Sequence, residues 1–218
     1  MSRSEGDLRA RLVRAGVDLL ADEGVEGVEA LSLREIARRA GVSHGAPRRY
    51  FPTHRALLAA IAAEGYRELG RRVAEAVGGG AAGSVPAGMA VVGPDPSAQL
   101  LTLGRLYLEF ARAHRGMFEL MFRHDLLRGN GIGLREASRP LFDVLVDLVA
   151  RARPDRAGAP PPAVSAGALW ANLHGIAQLW QWGSLQMTVG TEEVEPLLRA
   201  AIDAHLGRSV PTTPAGDR

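Results

Sequence analysis

The chain of 218 residues has no cysteine. That removes disulfide scaffolds, thiolate catalysis, and cysteine-ligated zinc or iron–sulfur centres. It has no lysine either, so all 26 basic side chains are Arg and no Walker-type phosphate loop can be built. Ile and Thr are scarce, at 5 and 6, against 35 Ala and 28 Leu. This bias disfavours a mainly β fold and favours helix. Long apolar runs are missing. The run at Leu57–Ala63 is far short of a membrane span. Met1 to Arg14 is charged and polar, without an apolar signal core. A cytoplasmic protein with no membrane partner is expected. The six His show no metal-ligand spacing, and no Ser/His/Asp trio can be assigned, so neither catalysis nor a metal or cofactor is expected. Gly129-Asn130-Gly131-Ile132-Gly133 lacks a preceding strand, and Gly78 to Gly83 reads as linker, so neither is a nucleotide loop.

Charge is present but unevenly placed. The net charge is only +2, and the pI near 9.6 reflects the lack of groups titrating between neutrality and pH 10. Residues 31–55 hold six Arg (34, 38, 39, 48, 49 and 55) and a single acid, Glu35. The sequence beyond residue 55 is close to balanced. One short segment therefore carries the positive field, which points to a polyanionic partner.

Apolar spacing gives helices throughout. Leu8, Leu12, Ala15 and Leu19 form a stripe on a helix over 6–24, capped by Gly24, with Arg9, Arg11 and Arg14 off the stripe. Ser32-Leu33-Arg34-Glu35 is a capping box opening a second helix, which Gly41 ends. Ser43 is the N-cap of a short Arg-rich helix through Tyr50, with Pro47 in its first turn. Helix, glycine turn and short helix make a helix-turn-helix pattern. A long helix follows from Thr53 to Val77, then Gly/Pro-rich sequence over 78–97. Helices resume at Ser97, at Leu134–Arg151, at Ala163–Met187 and from Thr191, with turns or linkers at 129–131 and 154–162. The expected fold is all-α. A three-helix head (1–51) is joined by a long helix to a helical body (52–207), followed by a polar tail (208–218).

Leu33-Arg34-Glu35-Ile36-Ala37-Arg38-Arg39-Ala40-Gly41-Val42-Ser43, then Gly45, Tyr50-Phe51 and Leu57-Leu58, resemble the head of the TetR family of bacterial transcriptional regulators. Trp170-Ala171-Asn172-Leu173-His174-Gly175 is similar to a subgroup with a Trp-His-Gly signature. Tyr107-Leu108-Glu109-Phe110-Ala111, His114 and Phe118–Phe122 fit its upstream pattern. The resemblance implies a DNA-binding regulator rather than an enzyme, usually a repressor, that holds a near-palindromic operator as a homodimer.

Carried over residue by residue, Ser32, Arg34, Arg48, Tyr50 and His54 are phosphate contacts, while Ser43, His44, Gly45, Ala46 and Arg49 face the major groove. Two positions depart from the family. Arg48 replaces a Tyr, and its guanidinium can fork onto phosphate oxygens. His54 replaces a common Lys.

In the body, Tyr107, Phe110, Met117, Phe118, Met121, Phe122, Phe142, Trp170 and His174 form the candidate effector site. Met and aromatic groups suit a small, largely apolar ligand, and His174 offers a polar anchor. Leu169, Leu173, Ile176, Leu179, Leu197, Leu198 and Ala201 make apolar faces suited to dimerisation. The competing reading is a helical small-molecule-binding protein without operator binding.

Overall fold

The computed structural model describes residues 3–21, 28, 31–77, 95–127, 134–153 and 158–207. Among them all regular structure is helical. The Gly24 cap, the Gly78–Gly80 break, the 129–131 turn, most of the 154–162 linker's first half and the tail beyond Gly207 lie outside the described residues. The chain divides into two compact units, Met1–Gly70 with Phe110–Arg139, and Arg71–Glu109 with Pro140–Arg218.

The first unit opens with α1 (Arg3–Ala21), which starts three residues earlier than its periodicity predicts; its predicted end at 24 lies outside the described residues. Its stripe is inward as expected: Leu12, Ala15 and Leu19 are buried. α2 (Leu33–Arg39) is capped by the Ser32 hydroxyl, which accepts from the Glu35 amide at 3.2 Å. The other arm of the expected capping box is diverted. The Glu35 carboxylate instead receives Arg38 Nε at 2.8 Å. Ile36 and Ala37 are buried. Gly41, at φ 67°, ends the helix. The Val42 amide reaches back to the Ala37 carbonyl and the Gly41 amide to that of Arg38, the paired bonds of a Schellman stop.

α3 (Pro47–Tyr50) is shorter than predicted. Pro47 has no amide to give the Ser43 carbonyl, so that carbonyl takes the Ala46 amide at 2.9 Å and residues 43–46 form a tighter turn. Pro47 itself is buried. α4 (His54–Val77) is capped by Thr53, whose hydroxyl accepts from the Ala56 amide at 3.1 Å. Its residues through Gly70 belong to this unit, with α6 (Arg115–Phe122) and α7 (His124–Leu127). Two of these helices approach α4 where it or they lack a side chain. A Cβ on Gly16 of α1 would lie 2.2 Å from Ile61 Cδ1, and one on Gly65 of α4 would lie 2.6 Å from Met121 Sδ and 2.7 Å from Met117 Sδ. Leu12, Ile36, Leu57 and Ile61 are fully buried, each stabilising the fold by roughly 1.5–3 kcal/mol.

The second unit contains α5 (Pro96–Ala113) as far as Glu109, α8 (Leu134–Ala152) from Pro140, α9 (Pro162–Gln181), α10 (Ser184–Val189) and α11 (Glu195–Leu206). Asp95 caps α5 by accepting from the Ser97 amide at 2.9 Å. The single helix predicted over Ala163–Met187 is two. Gly183, at φ 74°, separates α9 from α10, with its amide bonded to the Trp180 carbonyl. The last helix starts at Glu195 rather than Thr191. Pro196 must sit in a first turn, and Thr191 instead closes a local turn onto the Glu193 amide at 3.2 Å. α5 and α11 meet at Gly104, where a Cβ would lie 2.5 Å from Leu198 Cδ1. Arg105 Nε also donates to Glu195 at 2.9 Å.

Gly16→Ala is expected to lower stability by about 1–2 kcal/mol despite its gain in helix propensity, because the added methyl overlaps Ile61. In the Ile61→Val background, where the clashing Cδ1 is absent, the same change should cost less. Urea denaturation of the two singles and the double would show this as coupling, and additive effects would refute the overlap.

Candidate nucleic-acid interface and effector site

The basic segment of the sequence becomes one continuous stretch of surface. Arg34 projects from α2; Ser43, His44 and Gly45 lie on the turn after Gly41; Arg48 and Arg49 lie on α3. All six are exposed, as is Ser32. Ala46 and Tyr50 are half-buried. Among the described residues no acid pairs with Arg34, Arg48 or Arg49. The segment's one carboxylate, Glu35, is held below the usual carboxylate range by its hydrogen bond from Arg38. It therefore stays ionised but is spent on its neighbour. The arrangement presents unspent guanidinium donors beside a turn with no bulky side chain at Gly45 or Ala46, which is what phosphate clamping and close base-edge approach require.

His54 has a second duty. Its Nε2 lies 2.5 Å from the Leu31 carbonyl oxygen. A carbonyl only accepts, so Nε2 carries the proton and ties the residue before Ser32 to the first residue of α4. A neutral ring then has only a lone pair at Nδ1, which cannot donate to phosphate, so a phosphate contact from His54 needs the imidazolium.

The nine candidate effector residues fall in both units. Phe110, Met117, Phe118 and Met121 are buried in the first unit. There Tyr66 donates its hydroxyl to the Met121 carbonyl at 2.8 Å, and Phe118 and Phe122 pack edge to face at 4.9 Å. Gly65 lies hard against both methionine sulfurs. Met117, Met121 and Phe122 thus pack α6 on α4.

The second unit holds the other four. The Trp170 indole N–H donates to the Tyr107 hydroxyl at 3.2 Å, and that hydroxyl lies 2.9 Å from His174 Nδ1. Phe142 meets Trp170 edge to face at 6.3 Å. Trp170 remains 38% exposed, and Phe142 and His174 are half-buried, so this cluster keeps an accessible side.

The predicted dimer residues also divide. Leu169, Leu173, Ile176, Leu198 and Ala201 are buried within the second unit, where α9 packs on α11. Leu197 is half-buried and Leu179 exposed. The reason is that α9 is apolar around most of its circumference, and one side serves the chain's own core. The apolar side chains left exposed are Val164, Leu179, Trp182, Met187 and Val189, together with Trp170. Sequence reasoning missed Val164, Met187 and Val189. It also missed the contacts of Arg9 and Arg11 of α1, which stay exposed off the apolar stripe yet reach Phe51 and Ala40. Among the described residues no helix is long and apolar enough to cross a membrane, and no group of His, Asp and Glu is placed to hold a metal ion.

Comparison with known proteins agrees with this geometry. Residues 12–61 match the model of the bacterial regulatory proteins of the TetR family, and residues 100–205 match the tetracyclin repressor-like C-terminal domain. The chain belongs to the TetR family of DNA-binding transcriptional regulators, a family of regulators rather than enzymes. A protein of unknown function from Rhodococcus sp. RHA1 is 29% identical, with TM-score 0.69 over 92% of this chain and 94% of that one. Thermus thermophilus FadR, a TetR-family repressor solved with lauroyl-CoA, is 20% identical, with TM-score 0.60 over 96% and 100%. RolR, solved with resorcinol, is 16% identical, with TM-score 0.58 over 95% and 89%. No curated protein matched the sequence.

Burial holds the His174 imidazole below its ordinary value of 6.5, and His205 on α11 is lowered for the same reason. A lowered histidine resists protonation when folded but not when unfolded. Its contribution is fully present above 6.5 and declines as pH falls towards the lowered value. The urea midpoint should therefore fall between pH 7.5 and 5.5, and fall less in His174→Asn. An equal fall in the variant would assign the acid sensitivity elsewhere.

Proposed function

We propose that this regulator is a cytoplasmic repressor that holds a near-palindromic operator as a homodimer and releases it when a small effector binds the C-terminal domain. Residues 1–51 form the DNA-binding head in this reading, 52–207 the effector and dimerisation domain, and 208–218 a tail. The observation that carries it is the Ser43–Arg49 segment, set on a Schellman stop and exposed apart from Ala46 and Pro47, where among the described residues no acid pairs with Arg34, Arg48 or Arg49. Ser32, Arg34, Arg48, Tyr50 and His54 are the phosphate contacts. Ser43, His44, Gly45, Ala46 and Arg49 meet the base edges.

One such head offers too little interface for tight operator binding, so two must act together. The face that pairs them is the one α9 and α10 leave exposed. Val164, Leu179 and Trp182 rise beside the small residues Ala168, Ala171 and Gly175 at helical spacing, and Met187 and Val189 extend it. An apolar face of this extent is unusual on a monomer and fits a second copy of the chain.

The effector site centres on Tyr107, Phe142, Trp170 and His174, whose Trp-His-Gly context gives the subgroup reading its support. FadR and RolR carry ligands as different as lauroyl-CoA and resorcinol on this fold. The ligand class is therefore set by the site: aromatic walls for an apolar body, and the Tyr107–His174 pair for one polar group. Release follows if the effector binds more tightly to a state that grips the operator less well.

Affinity selection of fragmented genomic DNA with purified protein should enrich a short inverted repeat. Enrichment of no site would overturn the operator reading. On that site Arg48→Ala should weaken binding to all sequences and reduce the slope of log K against log salt by about 0.9. Arg49→Ala should lose about 1–3 kcal/mol of discrimination at one base pair per half-site.

A further inference from the structure

We propose that Arg9 and Arg11 of α1 are positioning residues for operator recognition, holding the base-reading segment at both of its ends. Arg11 Nη2 donates to the Ala40 carbonyl oxygen at 2.7 Å. Ala40 is the C-cap of α2. The carbonyls of Ile36, Ala37 and Arg38 are taken by the amides of Ala40, Val42 and Gly41, and Arg11 serves that of Ala40. A guanidinium is also the charge a helix C-terminus favours. The contact extends to the turn itself, since a Cβ on Gly41 would lie 3.7 Å from Arg11 Nη2.

Arg9 does the equivalent at α3. Its guanidinium carbon lies 5.1 Å from the centroid of the Phe51 ring, within cation–π range. Phe51 is the buried C-cap of α3, and its amide closes the helix onto the Pro47 carbonyl at 2.9 Å. Two residues apart on a helix are about 200° apart around it, so the two guanidinium groups leave α1 in different directions. Each reaches the C-cap of a different helix. Ser43 to Arg49 lie in the chain between these two points. The clamp sets their orientation relative to α1 without touching a base.

This inference rests on the operator reading, and two measurements separate its failure from that of the reading. Amide hydrogen exchange over residues 41–51, without DNA, should accelerate in Arg11→Met and Arg9→Met at a temperature where both remain folded by circular dichroism. Unchanged exchange would overturn the clamp whether or not an operator is found.

On the selected operator, Arg11→Met should bind at least ~10-fold more weakly, bind random DNA within ~3-fold of wild type, and keep the wild-type salt slope. Arg11→Lys should restore most of the preference, because one ammonium N–H suffices for one carbonyl. Equal losses on operator and random DNA, with a slope smaller by about 0.9, would make Arg11 a phosphate contact instead. A lower melting temperature with undiminished operator preference would make it merely structural.

Discussion

Gly41 turns the chain out of α2 at φ 67°, a conformation that costs an L-residue with a Cβ about 1–2 kcal/mol. The turn satisfies two helix-end carbonyls internally and leaves the Ala40 carbonyl to Arg11. It also sets where the next segment begins, and so which of Ser43, His44 and Gly45 face outward. Flexibility at this point would spread the recognition residues over many orientations, and base readout depends on one.

Pro47 imposes the second constraint. By withholding an amide it prevents Ser43–Tyr50 from forming one regular α-helix and produces a tight turn followed by a single α-turn. So short an element has little intrinsic stability, since helix formation is costly before several turns accumulate. It must be held from outside. Burial of Pro47 and Phe51 and the Arg9 contact on the Phe51 ring supply that support. The charged face can then remain exposed without contributing to its own folding.

Much of this was legible in sequence because the signals are local. Ser32 at an N-cap, Gly41 at a C′ position and the stripes of α1, α2 and α4 follow from hydrogen bonds and spacing within a few residues. The errors have a common origin in partners far away in the chain or in backbone donors that are missing. Pro47 and Pro196 delayed two helices, and Gly183 divided another. The Arg11 contact was not foreseen because its acceptor, Ala40, is 29 residues away. α9 offered no asymmetry from which to tell its core side from its outer side, since apolar residues surround most of it. The aromatic and methionine residues clustered in sequence, yet Met117 and Met121 are consumed by packing on Gly65, which composition does not reveal.

The hydrogen-bonded cluster of Tyr107, Trp170 and His174 has a direction. Indole N–H can only donate, so Tyr107 accepts from Trp170. The same hydroxyl then donates its single proton to His174 Nδ1 when the ring is neutral. Neutrality is the state that burial favours. His174 consequently carries its proton on Nε2. Protonating His174 would reverse the Tyr107 contact, because Nδ1 would become the donor and the hydroxyl would accept from both neighbours. A ligand group that accepts a hydrogen bond matches the neutral arrangement without disturbing it. A group that can only donate to Nε2 forces the Nδ1–H tautomer and reverses the Tyr107–His174 bond. If the proposed effector site is this cluster, the order of donors, more than the apolar walls, decides which polar group it receives.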